Sequence, residues 1–470
     1  MQKKQTNLSD WSAMMPLCLS ADHRPVGVYR AVRQAIETGQ LRAGAKLPPS
    51  RDLAKRYKLS RSTIVAAYEM LVADGFVITR QGSGSFVAQN VPYLSNTAEI
   101  IAEKPVSSSN RICSVEMPAQ DEKIMAIFRR LLNQKAAKLD VRHYTYTDPR
   151  GALALREAIA TYLNQARGLK TTASQIFITS GTQQSLDLIM RAILPNNATI
   201  LLEDPSYRNV VDALRFFDKK LLFIPHLTPL SFEQLPKADA IFVTPSKRFP
   251  LGGYFSLSER LALLKWANDH KSYIIEDDYD GEIRFEAMPL TAIQGLDDNG
   301  RVIYMGTFSK TLFAGIQCAY LIVPPQLVER VMNLRVQVDR RAITFVEEAL
   351  ADLIKGGYYA AHLRRTTKKL RENRNALIKG LKQAEGAVFQ PLKAPSQGLH
   401  LTVFLNDKFK DTLFEHAARN CGFPVRAISR YCENNHLNGI LIGYCGFSPD
   451  AYEKAGQQLA NLALQMVDMT

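Results

Sequence analysis

No run of apolar residues in this chain approaches the ~18–20 that a membrane-spanning helix needs. Lys3 and Lys4 precede Trp11–Leu19, but that stretch is short and is broken by Ser12 and Pro16. A secretory leader is therefore not expected, and a cytoplasmic protein is. Six cysteines are scattered through 470 residues with no C-x-x-C pair, which argues for reduced thiols and against a disulfide framework or a metal cluster. No internal repeat is visible, so solenoid and propeller architectures are set aside. What is present, 46% hydrophobic and 22% charged residues, is enough to bury a core, and the length suggests two or three domains.

The net charge of +14 is unevenly spread. Residues 1–90 hold thirteen Lys/Arg against six Asp/Glu, so half the excess sits in under a fifth of the chain. A small basic domain suits a polyanionic partner. Within it, Val28–Gly39 has helical periodicity, Ser50 is a candidate cap for a helix Arg51–Tyr57, and Ser60 caps Arg61–Ala73 with Ile64, Ala67, Tyr68 and Leu71 on one face. Phe76-Val77-Ile78 and Ser85-Phe86-Val87 read as strands around the turn Gln81-Gly82-Ser83-Gly84. The order is helix, helix, turn, helix and hairpin wing over residues 20–88. Pro92, Ser95, Asn96, Pro105 and Ser107-Ser108-Ser109-Asn110 mark residues 89–120 as a flexible linker.

From residue 121 to 470 helices and strands alternate: Leu153–Ala166, Gln175–Thr179, Thr182–Leu194, Thr199–Leu202, Ala240–Val243, a helix opened by the capping box Ser256-x-x-Glu259, then the strands Ser272–Glu276 and Arg301–Met305. Alternation of this kind predicts an α/β domain with a mostly parallel central sheet covered by helices. A long basic helix and a smaller α+β portion follow Val338.

Chemistry-bearing residues gather where strands end. Ile275-Glu276-Asp277-Asp278-Tyr279-Asp280-Gly281 offers a carboxylate able to pair with a protonated pyridine nitrogen. Gly306-Thr307-Phe308-Ser309-Lys310 offers an amine for a Schiff base and hydroxyls for a phosphate. Ser180-Gly181-Thr182-Gln183-Gln184 opens a helix whose first amides make a phosphate cradle, and Tyr207 is positioned to stack on an aromatic ring. In the basic domain, Ser60, Arg61, Ser62 and Thr63 start the third helix, the end with which a recognition helix reads DNA. Arg51 suits a phosphate, and Gln81-Gly82 a wing tip.

Leu47-Pro48-Pro49-Ser50-Arg51-Asp52-Leu53-Ala54, Leu59-Ser60-Arg61-Ser62-Thr63-Ile64 and Gly82-Ser83-Gly84-Ser85-Phe86-Val87 resemble the winged helix-turn-helix of the GntR superfamily. That resemblance implies that Arg51, Ser60, Arg61, Ser62, Thr63, Gln81 and Gly82 face double-stranded DNA. The later motifs, with Tyr146-Thr147-Asp148-Pro149-Arg150-Gly151, Leu155-Arg156-Glu157-Ala158-Ile159 and Thr244-Pro245-Ser246, resemble the fold-type I aminotransferases. The chain from about residue 25 to 450 is similar to the MocR-type regulators. By that resemblance Lys310 carries pyridoxal 5′-phosphate (PLP), Asp277 meets the pyridine nitrogen, Tyr279 the ring hydroxyl, and Tyr207 stacks on the ring. Gly181, Thr182 and Ser309, with Thr307 nearby, serve the phosphate, joined by Tyr146 from a partner subunit of a homodimer. Three departures stand out. Gln317 replaces an arginine that usually serves the phosphate, Lys247-Arg248 replaces His-Gln, and Leu251 replaces a threonine in Phe249-Pro250-Leu251-Gly252. Lys247 or Arg248 is a candidate to compensate for Gln317.

The implied function is a transcription regulator controlled by PLP on Lys310, by an amine or amino-acid effector that condenses with the cofactor in the lysine's place, or by both. The alternatives are a PLP-dependent aminotransferase with a DNA-binding appendage and a scaffold that only dimerises. Arg208, Arg426 and Arg430 are candidate binders of an effector carboxylate.

Overall fold

The computed structural model describes residues 24–91, 111–119, 121–225, 234–286, 290–339 and 344–467. The chain divides into two compact units on either side of Val106 and Ser107. The reading of Trp11–Leu19, and that of residues 92–110 as a linker, fall outside the described residues.

In the first unit, α1 (Pro25–Glu37) starts on a proline, whose missing N–H costs nothing in a first turn. It begins three residues before the periodicity suggests, and it buries Val28, Val32, Ala35 and Ile36. Pro49, not Ser50, occupies the cap position of α2 (Ser50–Tyr57), because the Pro49 carbonyl already accepts from Asp52 and Leu53. Ser60 does cap α3 (Arg61–Ala73), its Oγ accepting from the Thr63 amide at 3.1 Å. Strands β1 (Val77–Arg80) and β2 (Gly84–Val87) form the hairpin, with Val77 opposite Val87 and Gly82 in the left-handed region at the turn. Ile36, Leu47, Ile64, Leu71 and Val87 close one core.

In the second unit, α4 (Glu122–Ala136) and α5 (Leu153–Arg167) precede a seven-stranded sheet. Its strands are β3 (Ile176–Thr179), β4 (Thr199–Asp204), β5 (Lys220–Pro225), β6 (Ala240–Val243), β7 (Tyr273–Asp277), β8 (Val302–Thr307) and β9 (Ala319–Ile322), in the order β3-β9-β8-β7-β6-β4-β5. Only β9 runs against the others. The central strands are buried on both faces, as parallel strands under helices must be. Along β4 the faces alternate: Ile200 and Leu202 pack with α6 (Thr182–Ala192) and α7 (Arg208–Phe216), and Leu201 with α8 (Leu257–His270). The capping box of α8 is made in both directions, Ser256 with Glu259. After α9 (Ile293–Leu296), α10 (Val328–Val338), α11 (Thr344–Lys355) and the 24-residue α12 (Tyr358–Leu381), a smaller layer follows. It holds the antiparallel strands β10 (His400–Phe404), β11 (Arg426–Ala427) and β12 (Gly439–Gly443), with α13 (Asp411–Asn420) and α14 (Pro449–Val467).

One expectation is corrected here. Residues 111–119, read as the end of a flexible linker, pack into the second unit. Cys113, Met117 and Ala119 are buried in its core. The Gly443 amide donates to the Cys113 carbonyl at 3.0 Å and the Ala119 amide to the Lys310 carbonyl at 2.7 Å. The approach is close enough that a Cβ on Gly443 would overlap the Ser114 carbonyl. The segment is short and lacks a period, so its burial is set by long-range contacts.

Candidate functional site

The strands β3, β4, β6, β7 and β8 all point one way, and the loops at their carboxyl ends enclose a cavity of about 600 Å³. Ligands bind at this edge of open α/β sheets because the diverging loops leave a crevice there. Gly181, Thr182, Tyr207, Asp277, Tyr279, Thr307, Ser309 and Lys310 all line it. Tyr146 does not; it is 85% exposed elsewhere on the chain.

The floor is acidic, and its charges are sorted. Asp278 is buried, which opposes ionisation, but Arg167 at 2.9 Å and hydrogen bonds from Tyr304 and Ser246 hold it below the usual carboxylate range. Asp280 faces Lys247 at 3.7 Å; burial pushes the carboxyl up to about 6 and pulls the amine down to about 8. Asp277 has no such cation among the described residues. Burial, then the charges of Asp278 and Asp280, push it up to about 7. Its Oδ1 and the buried Tyr279 hydroxyl have no hydrogen-bond partner among the described residues. Buried polar atoms without partners are rare in folded proteins. Here two of them face one cavity, where a cation at Asp277 and a hydrogen-bonding oxygen at Tyr279 would satisfy both.

Lys310 is the amine in reach. Its Nζ donates to the Val115 carbonyl at 3.2 Å, and burial lowers its pKa. The first amides of α6 point out of an 11-residue helix beside Gly181 and Thr182, where they have no intrahelical carbonyl and suit an anion. Thr307 Oγ1 accepts from the Ser309 amide at 3.1 Å, which fixes that turn. Gln317 sits in a left-handed turn, exposed, and lines an adjoining crevice with Ser180 and Gln184.

The expectation that Lys247 or Arg248 compensates for Gln317 is corrected by their partners. Arg248 is buried against Glu203, its Nε donating at 3.0 Å. Lys247 turns away from the cradle, its Nζ 3.3 Å from His400 Nδ1 and facing Asp280. Gly398 makes room for it: in the left-handed region, a Cβ there would overlap the Lys247 side chain. Neither cation lines the cavity.

Sequence reasoning missed the remaining walls. Phe249 packs edge-on against Tyr207, Tyr279, His400 and Tyr431, holding the aromatic side of the cavity. Asp204 ends β4 and accepts from the amides of Glu433, Asn434 and Asn435, tying the smaller layer to the sheet. Arg208, Arg426 and Arg430 stand together at the rim. These three were named from the sequence as candidate carboxylate binders, and the structure brings them to one cavity.

In the first unit Arg51, Arg61, Ser62, Gln81 and Gly82 are exposed, and Thr63 is half-buried. The Ser60 hydroxyl is occupied by its cap and by contacts with Ser62 and Thr63 at 2.8 and 2.7 Å.

Known proteins agree with this two-part architecture. Residues 26–87 match the bacterial regulatory proteins of the gntR family, and residues 119–431 match aminotransferase class I and II. Over 461 residues the chain is 30% identical to the probable rhizopine catabolism regulatory protein MocR of Rhizobium meliloti, with 93% of each chain covered. Over 447 residues it is 28% identical to the pyridoxine biosynthesis transcriptional regulator PdxR of Corynebacterium glutamicum, covering 93% of this chain and 96% of that one. Two solved structures share the fold of the second unit. Kynurenine aminotransferase of Pyrococcus horikoshii has TM-score 0.67 and 24% identity, covering 77% of this chain and 92% of that one. The α-aminoadipate aminotransferase LysN of Thermus thermophilus has TM-score 0.69 and 19% identity, covering 77% and 94%. A DNA-binding head of the gntR type and an aminotransferase fold, aligned with MocR over 93% of both chains, place this chain among the MocR-type transcription regulators of the GntR superfamily.

Proposed function

We propose that this regulator carries PLP on Lys310 and that its occupancy of DNA is set by the cofactor, by an amino acid or amine that condenses with it, or by both. The observation that carries this reading is the pair of buried, unpartnered polar atoms, Asp277 Oδ1 and the Tyr279 hydroxyl, in the cavity that holds Lys310. When bound, PLP supplies an aldehyde open to amines and an electron-withdrawing ring. Lys310, its pKa lowered by burial, is the nucleophilic amine. Asp277 would hold the proton on the ring nitrogen, Tyr279 would donate to the ring hydroxyl, and Tyr207 would cover the ring. The α6 amides at Gly181 and Thr182 and the hydroxyls of Ser309 and Thr307 would take the phosphate, with Tyr146 of a second copy completing it in a homodimer. Rim arginines favour an effector with a carboxylate, hence an amino acid over a simple amine. Arg51, Arg61, Ser62, Thr63, Gln81 and Gly82 would contact the DNA, Ser60 holding the recognition helix.

Borohydride reduction followed by peptide mapping tests the assignment. The pyridoxyl label is expected on Lys310; a label on another lysine, or none after incubation with PLP, overturns it. A second reading, residual transamination, is favoured by the retention of lysine, aspartate and tyrosine in one cavity, and an amino-donor and keto-acid turnover assay separates it from pure regulation.

A further inference from the structure

We propose that Glu116 is a built-in competitor for the effector's carboxylate: its side chain occupies Arg426 at the cavity rim and sets the concentration at which an amino acid takes its place. This rests on the reading that the cavity receives an amino acid beside Lys310.

The three rim arginines are paired in different ways. Arg208 bonds Asp212 at 3.0 Å and Glu433 at 2.9 Å; Glu433 also holds Arg215 at 2.8 Å and donates its amide to Asp204 at 2.9 Å. Arg430 grips Glu415 at 2.5 Å, and that side chain, only 2% exposed, also holds Arg419 at 2.8 Å. Glu433 and Glu415 are fixed by several bonds each, so that Arg208 keeps an anchored partner in Glu433 although Asp212 is as exposed as Glu116. Arg426 is different. One guanidinium nitrogen faces the buried Glu415 at 3.8 Å, while Nη2 donates to Glu116 at 3.0 Å, and the Glu116 side chain is 56% exposed. So open a pair is weak and exchanges readily, whereas the anchored pairs do not.

Glu116 reaches the rim from the segment 111–119, and its neighbour Val115 accepts the hydrogen bond from Lys310 Nζ. Two adjacent residues thus touch both ends of the site, the amine that takes the cofactor and the guanidinium that takes a carboxylate. The charge of Glu116 bears on Lys310, Tyr207 and Tyr431, which all line the cavity. An incoming carboxylate exchanges with Glu116 on Arg426 with no change of charge at the guanidinium, and Glu116 turns to solvent. The segment stays anchored at Cys113 and Ala119 throughout. An amine without a carboxylate leaves the pair in place and gains nothing from it.

The test uses full-length Glu116→Gln and wild type. Labelling by phenylglyoxal, mapped by mass spectrometry, is expected to quicken about three- to five-fold at Arg426, the range open to a weak exposed pair, and to stay unchanged at Arg208 and Arg430. In the PLP-loaded proteins, L-alanine, L-glutamate and 4-aminobutyrate are titrated against ethylamine by cofactor absorbance. The variant should bind the amino acids about three- to five-fold tighter and ethylamine as before, with Glu116→Asp keeping wild-type behaviour. Unchanged labelling of Arg426, or equal shifts for amino acids and ethylamine, overturns the role of Glu116 while leaving the cofactor reading intact. Absence of any spectral response to amines in both proteins removes the amino-acid reading itself, and this inference with it.

Discussion

Replacing Asp277 by Asn isolates the charge on which the cofactor reading depends. In the cofactor-free protein burial, then Asp278 and Asp280, move this carboxyl from 3.8 to about 7. Moving it that far places about 4 kcal/mol of penalty on its ionised form, as an order of magnitude. The sign follows from proton binding. The folded value lies above the unfolded one, so the folded state holds the proton more tightly. The stability contributed by the protonated carboxyl is whole below about pH 4 and is lost as pH rises to about 7. Asparagine carries no charge, so cofactor-free Asp277→Asn should match wild type near pH 4 and exceed it at pH 8, by up to about 4 kcal/mol. PLP should reverse the order. A ring cation against Asp277 is a charge-assisted contact that Asn cannot make, and the variant should lose about 2–3 kcal/mol of PLP affinity. Urea unfolding of the cofactor-free proteins at pH 4.5 and 8, with a PLP titration of each, measures both quantities. A variant less stable than wild type at pH 8, or equal in PLP affinity, would refute the reasoning, because Asp277 would then have a partner in the protein itself.

Gln317→Arg places a cation beside the helix cradle and should tighten PLP binding by ~1–2 kcal/mol if the guanidinium reaches the phosphate; equal affinity by absorbance titration counts against PLP as a sensed ligand. Arg61→Ala should relax specificity at one or two bases at a cost of ~1–3 kcal/mol, read by binding to operator variants; a uniform loss with a flatter salt dependence would mean a phosphate contact instead. Gly398→Ala forces a Cβ into the buried Lys247 side chain from a left-handed backbone. It should destabilise the second unit by about 3 kcal/mol, part of which Lys247→Ala should restore in the double variant; additive effects would show that Lys247 is not the obstacle.

Much of this protein is written locally. The helices and wing of the DNA-binding unit, the capping box Ser256–Glu259 and the loops carrying Asp277, Lys310 and Gly181 follow from neighbouring residues, because caps, turns and hydrophobic periods act over a few positions. The reversed strand β9 and the edge strand β5 were not legible, since a short apolar run states neither its direction nor its neighbour. The placement of charge was equally hidden. Arg248 finds Glu203 across 45 positions, Arg167 finds Asp278 across 111, and Arg426 finds Glu116 across 310. No spacing rule spans such distances. The sequence by itself determined that a lysine, an aspartate and a helix start of small residues lie at strand ends. Only the tertiary structure decided that Glu276, Asp278 and Asp280 each face a cation while Asp277 faces none among the described residues, that Lys247 turns inward to Asp280, and that Val115 and Glu116 line the cavity, because burial and long-range pairing select among side chains whose local sequence treats them alike.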